Sequence, residues 1–150
     1  MKAIRCMMAL AAALGLASGT AHALEFKSIG AAPAILYDAP STKGRRVFVA
    51  PRGMPVEVVL SYGDWIKVRD ADGDLSWVET AALTGRRMLV VTAANARVRA
   101  TPDDNGATVF TCDKSVLLDL ESPTSVAGWF KVRHRDGQTG YVKAGDVWGD

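Results

Sequence analysis

The chain has 150 residues, 49% of them hydrophobic and 23% charged, with a formal net charge of +2. That excess comes from Lys2 and Arg5 in the first 23 residues, without which Lys+Arg falls from 18 to 16 and equals the 16 Asp+Glu. A neutral chain has no general electrostatic attraction for nucleic acid or for an anionic membrane surface, so neither partner class is expected.

In chain order, Lys2 and Arg5 form a short basic segment and "MMALAAALGLA" from Met7 to Ala17 an apolar one. Ala21-His22-Ala23 has the small-x-small form of a cleavage site. The pattern is that of a secretory signal peptide, residues 1–23, cut after Ala23. The apolar run falls short of the ~20 residues that span a bilayer, so no membrane insertion is expected after cleavage. The predicted mature chain, 24–150, is then exported to the periplasm. It retains one cysteine, Cys112, and therefore no intramolecular disulfide. A small buried apolar residue in a strand is the expected role of that thiol.

Beyond the leader the apolar period is two. "PVEVVLS" places Val56, Val58 and Leu60 on one face and Glu57 and Ser61 on the other. "WIKVRD" turns Ile66 and Val68 inward and leaves Trp65, Lys67 and Arg69 together outside. Asp72-Gly73 follows before "SWVE", which predicts a hairpin with a two-residue turn. The run "RRMLVVTAANARVRA" has room for the last strand of one unit and the first of the next, with almost no linker.

The second half repeats the first. "GDWIKVRDADGDLSWVE", 63–79, returns as "AGWFKVRHRDGQTGYVK", 127–143, at an offset of 64. Upstream the offset is 62, pairing Pro40 with Pro102 and Val47-Phe48 with Val109-Phe110. Two extra residues must therefore lie in "SPTSVAG", 122–128, which has the composition of a loop. The repeat units run from about residue 29 to 91 and from 92 to 148, each with about five short strands. Such a small sheet shields its edges best by curling into a barrel, so two all-β barrels are expected, at 24–91 and 92–150.

These residues resemble the bacterial SH3-like (SH3b) domain in tandem. "ARVRATPDDNG" at 96–106 is similar to that family's Val-Arg-x-x-Pro opening. "GWFKVRHRDGQTGYVK" at 128–143 is similar to its Gly-Trp-x-Lys-Val hairpin, followed by Asp-Gly and Gly-Trp/Tyr-Val. The resemblance implies two consecutive small SH3-like β-barrels after a cleaved signal peptide, in a cell-envelope protein that binds peptidoglycan or peptides. "AILYDAP" at 34–40 also looks like the eukaryotic Ala-Leu-Tyr-Asp-Tyr signature, but Ala39 replaces its second tyrosine and Asp64 precedes Trp65 where a second tryptophan is expected. A polyproline groove needs those aromatics.

For chemistry the sequence offers little. His134 is the one histidine after the leader and reads as a solvated strand residue. The carboxylates of "DADGD", 70–74, fall in a turn, where Asp has a local backbone role, so no metal site and no cofactor are expected. No nucleophile, base and orienting group are evident together, and the chain reads as no enzyme.

The candidate ligand-binding residues are Trp65, Lys67, Arg69 and Trp77, with Trp129, Lys131, Arg133 and Tyr141 in the second copy. An aromatic plane beside cations can stack on a sugar or peptide group while the cations hold a carboxylate. The same residues could equally fold a tryptophan over the barrel end and leave its flanking cations in water. Two readings result: a non-catalytic periplasmic binding module for peptidoglycan or an envelope peptide, and a structural or adaptor protein docking on another cell-envelope protein.

Overall fold

The computed structural model describes residues 23–150, so the expected leader, 1–23, lies outside the described residues but for Ala23. The chain folds into two sheets of seven strands each, in the same order. The first contains β1 (Glu25–Ile29), β2 (Ala34–Tyr37), β3 (Arg46–Ala50), β4 (Pro55–Tyr62), β5 (Trp65–Arg69), β6 (Leu75–Glu79) and β7 (Leu83–Thr84). The second contains β8 (Met88–Val91), β9 (Asn95–Arg99), β10 (Thr108–Asp113), β11 (Leu117–Leu120), β12 (Trp129–Arg133), β13 (Thr139–Lys143) and β14 (Val147–Trp148). The spatial orders are β3-β2-β6-β5-β4-β1-β7 and β10-β9-β13-β12-β11-β8-β14, so the duplication read from the sequence is a duplication of topology.

Seven strands replace the expected five: each sheet also has a leading strand, β1 or β8, and a two-residue strand that a single 3-10 turn, Thr80–Ala82 or Ala144–Asp146, returns to it. The boundary also moves. β8 was expected to close the first barrel, but it pairs with β11 and β14, so the switch between sheets falls at residues 85–87. Its residues decide this: Leu89 and Val91 alternate into the second core, opposite Leu118. Each barrel encloses its own core. One is built on Ile29, Leu36, Val56, Ile66, Val68 and Val78. The other is built on Leu89, Val98, Leu118, Phe130, Val132 and Val142.

The turns differ from the two-residue hairpin expected at Asp-Gly. Asp70 N–H donates to the Asp74 carbonyl at 3.1 Å and Gly73 N–H to that of Asp70 at 3.0 Å, which makes a three-residue loop. Only the glycine has positive φ, +92° at Gly73 and +94° at Gly137, so a type I turn runs into a left-handed glycine. Asp70 Oδ1 accepts the N–H groups of Asp72 and Asp74 at 3.0 and 2.9 Å, and its carboxylate serves the turn. Two-residue turns do occur one hairpin earlier, at Gly63-Asp64 and Ala127-Gly128.

The barrels touch through β1 and β14. Phe26 meets Trp148 edge to face at 5.0 Å between centroids. Arg87 lies over the Phe26 ring, 5.7 Å from its centroid, and donates to the Gly149 carbonyl at 3.0 Å.

Candidate functional site

Antiparallel partners point to the same side of a sheet, so the register fixes which side chains meet. With Ile66 and Val68 buried, β5 turns Trp65, Lys67 and Arg69 outward. Opposite them stand Glu79, Trp77 and Leu75 on β6, and Tyr62, Leu60 and Glu57 on β4. Tyr37 of β2 pairs with Trp77 from the far side. Four candidates from the sequence, Trp65, Lys67, Arg69 and Trp77, thus share one face of the first barrel.

Leu60, Tyr62, Leu75 and Tyr37 join that face and were not singled out in the sequence. Leu60 was expected inside with Val56 and Val58. A β-bulge between Val58 and Leu60 shifts the register by one and brings it out opposite Lys67, 45% exposed. Leu75 and Tyr62 are also open, at 49% and 66%. The rings contact one another edge to face, Tyr37 with Trp65 at 5.5 Å and Tyr62 with Trp77 at 6.5 Å. Lys67 Nζ stands 5.9 Å from the Trp77 centroid, within the range of a cation–π contact. Arg69 is committed elsewhere, since its Nη1 donates to both oxygens of the buried Glu57 at 3.1 and 2.9 Å. Lys67 is therefore the available cation of the face, with no ion pair among the described residues.

The second barrel has the same frame with different surface chemistry. Trp129 is only 6% exposed, contrary to its expected outward place, and Lys143 covers it with Nζ 5.5 Å from the ring centroid. Lys143 is itself held by Asp104 at 2.6 Å. Lys131 lies 3.9 Å from Glu121, which also accepts from Arg133 Nε at 2.8 Å. Arg99 fills the place of Tyr37, and the loop 121–126 replaces the Leu60–Tyr62 segment. Tyr141 is half-buried, with no aromatic neighbour among the described residues. One outer face thus carries clustered, partly exposed rings, while its counterpart is salt-bridged with its tryptophan buried.

The remaining chemistry-bearing residues are engaged. Cys112 is buried in the second core, and burial pushes its thiol pKa up, with Asp113 and Asp136 adding to the shift. His134 is half-buried, where the sequence suggested a solvated position. Its Nδ1 lies 3.0 Å from Asp136 and its ring beside Phe110. The Gln138 backbone N–H, then the His134 side chain, hold the Asp136 carboxyl below its usual value.

Residues 30–85 and 92–149 each match the family described as the bacterial SH3 domain. The chain belongs to this family. Its two bacterial SH3 domains fall one on each sheet, the matches covering β2 to β7 and β9 to β14, and no curated protein matches the chain. Among solved structures, NlpC1 from Trichomonas vaginalis is similar at 12% identity and a TM-score of 0.40, over 94% of this chain and 51% of that one. An NlpC/P60 family protein from Bacillus cereus ATCC 10987 is similar at 17% identity and a TM-score of 0.38, over 83% and 56%. The chain spans about half the length of these structures.

Proposed function

We propose that this chain is a non-catalytic binding module of the cell envelope, and that its first bacterial SH3 domain holds peptidoglycan or an envelope peptide on its outer face. The observation that carries this reading is the cluster of the exposed Tyr62 and the half-buried Trp65 and Trp77, backed by the buried Tyr37, with Lys67 among them and without an ion pair among the described residues. Flat rings held edge to face give a preformed surface on which a sugar or peptide plane stacks at little entropic cost. Lys67 supplies a counter-charge for a ligand carboxylate. The Arg69–Glu57 pair fixes the end of the face rather than contacting ligand. In the second domain Lys131, Arg133 and Tyr141 act as framework and Trp129 as core.

One further feature supports the non-catalytic part: the one described thiol is sealed in a core. The leader pattern at 1–23 supports export to the periplasm, where peptidoglycan is met.

The test is co-sedimentation of the protein with purified insoluble peptidoglycan at two salt concentrations. Binding that survives both and disappears in a folded Trp77→Ala variant supports the reading. No co-sedimentation at either salt moves the assignment to the adaptor reading. That reading has its own observation: Val47, Phe48 and Val49 are all exposed on the edge strand β3, which pairs only with β2 among the described residues. An extended segment of a partner protein could add to such an edge.

A further inference from the structure

Between the two domains lies a cleft of about 870 Å³, within the range of small-molecule sites. Its inner wall is apolar, from the half-buried Met88, Val116 and Leu117 of the second domain. Its rim is cationic, carrying Arg52 on one side and Arg86, Arg133 and Arg135 on the other, all exposed. Arg86 is neutralised by Asp119 at 2.7 Å and Arg133 by Glu121 at 2.8 Å. Arg52 and Arg135 make no ion pair or side-chain hydrogen bond among the described residues. They come from different domains, so only the assembled pair of barrels brings them to one cavity.

A second, independent feature lies in the wall. Ser28 is 1% exposed and its Oγ has no hydrogen-bond partner among the described residues. A buried hydroxyl without a partner is costly, and in a native fold it calls for an explanation. The alternation of β1 sets Ser28 on the same side as Phe26, which packs against Trp148, so its hydroxyl is directed toward the second domain. It is also part of the cleft lining. Met88 and Leu117, Ser28 and the free guanidiniums together present an aliphatic wall, one unused donor and two unpaired cations.

From this arrangement we infer that the inter-domain cleft binds a small ligand with one carboxylate on an aliphatic body, of the kind a short peptide presents at its C-terminus. Arg52 and Arg135 hold the carboxylate, the Ser28 hydroxyl donates to it or to the adjacent carbonyl, and Met88 and Leu117 cover the aliphatic part. A guanidinium offers paired donors that match a carboxylate. Low-dielectric walls raise the attraction of the unpaired charges above its value on an open surface. A free inorganic anion would satisfy the rim and leave the apolar wall unused. The site stands apart from the aromatic face and does not depend on it.

Titration calorimetry on the full chain tests this, with acetyl-Ala-Ala as the free acid, its C-terminal amide, and inorganic phosphate as probes. The expected result is binding of the free acid, with the amide weaker by about tenfold because the charge-assisted bonds are lost. Phosphate should bind more weakly than the free acid. The Arg52→Ala/Arg135→Ala double variant removes only exposed side chains, so it should keep its thermal unfolding midpoint while losing about tenfold in affinity for the acid. Ser28→Ala deletes an unpartnered hydroxyl and should bind the acid more weakly at unchanged or raised stability. Trp77→Ala should bind the soluble acid with full affinity, which separates this site from the peptidoglycan-binding face. Equal affinity for acid and amide, phosphate binding as tight as the peptide, no binding of the acid, or undiminished binding in the Arg double variant would each overturn the inference.

Discussion

Lys143 covers Trp129 with its amine 5.5 Å from the ring centroid, at the position where Glu79 stands opposite Trp65 in the first domain. A cation can lie on the negative face of an indole, whereas a carboxylate is repelled by it. This one cross-strand difference helps to close the second tryptophan and leaves the first half-buried. The two tryptophans should therefore answer mutation differently. Trp129→Ala empties a buried site and should cost about 3–5 kcal/mol, read as a fall in the urea midpoint of the second domain. Trp77→Ala should leave that midpoint in place and abolish binding to peptidoglycan.

Two positions in the second domain carry a left-handed backbone on a residue with a Cβ. Ser115 has φ +74° where the first domain has Gly53 at +80°, and Ala127 has φ +51° where it has Gly63 at +54°. The Cβ crowds the following carbonyl oxygen in that region, a cost only partly offset by the stiffer unfolded chain. Ser115→Gly and Ala127→Gly should each stabilise by about 1 kcal/mol, measured by denaturant unfolding. A loss of stability in both would mean that side-chain contacts outweigh the strain.

The carboxylate of Glu57 is buried and depends on Arg69 for both of its hydrogen bonds to that side chain. Arg69→Ala strands a charge, while Glu57→Gln removes it together with the need for a partner. The arginine variant should be the less stable of the two, by about 1–2 kcal/mol given that Arg69 itself is partly exposed to water.

Asp136 has a lowered pKa, caused first by the Gln138 N–H and then by His134. A lowered folded-state value means that its stabilising effect is full above the unfolded pKa of about 4 and fades as pH falls through the folded value. The stability difference between the parent and Asp136→Asn should therefore be flat above about pH 5 and shrink below about pH 4. A difference that instead grows toward low pH would reverse the sign of the proposed contact.

Burial raises the Cys112 pKa and seals the thiol within the second core. A thiol reagent should label the native protein only at the rate of unfolding. Immediate labelling without denaturant would place the sulfur at the surface.

The repeat, the alternation in β5 and β12 and the position of the inserted loop were legible because they depend on periods of two and on local turn residues. The inward Ile66, Val68, Phe130 and Val132 follow from the same signal. Leu60 was misplaced because a bulge leaves no mark in a hydrophobicity pattern, although "VVLSY" is too apolar for a strand half exposed to water. The boundary at 85–87 was hidden since "MLVV" suits either barrel, and only its partners β11 and β14 decide. The burial of Trp129 depended on Lys143, fourteen residues away in sequence and directly opposite in space. The inter-domain cleft was beyond reach for a similar reason, as Arg52 and Arg135 meet only through the packing of two domains.

The contact between Phe26 and Trp148 also sets an order of events. A chain made from its N-terminus completes the first sheet once β7 is available, yet the Phe26 ring lacks its aromatic partner until β14, the last strand, has been made. Throughout synthesis of residues 85–148 the newborn first domain therefore displays an apolar patch that the finished protein hides. A chaperone that recognises Phe26 would bind the growing chain and lose its grip at the moment the second domain docks.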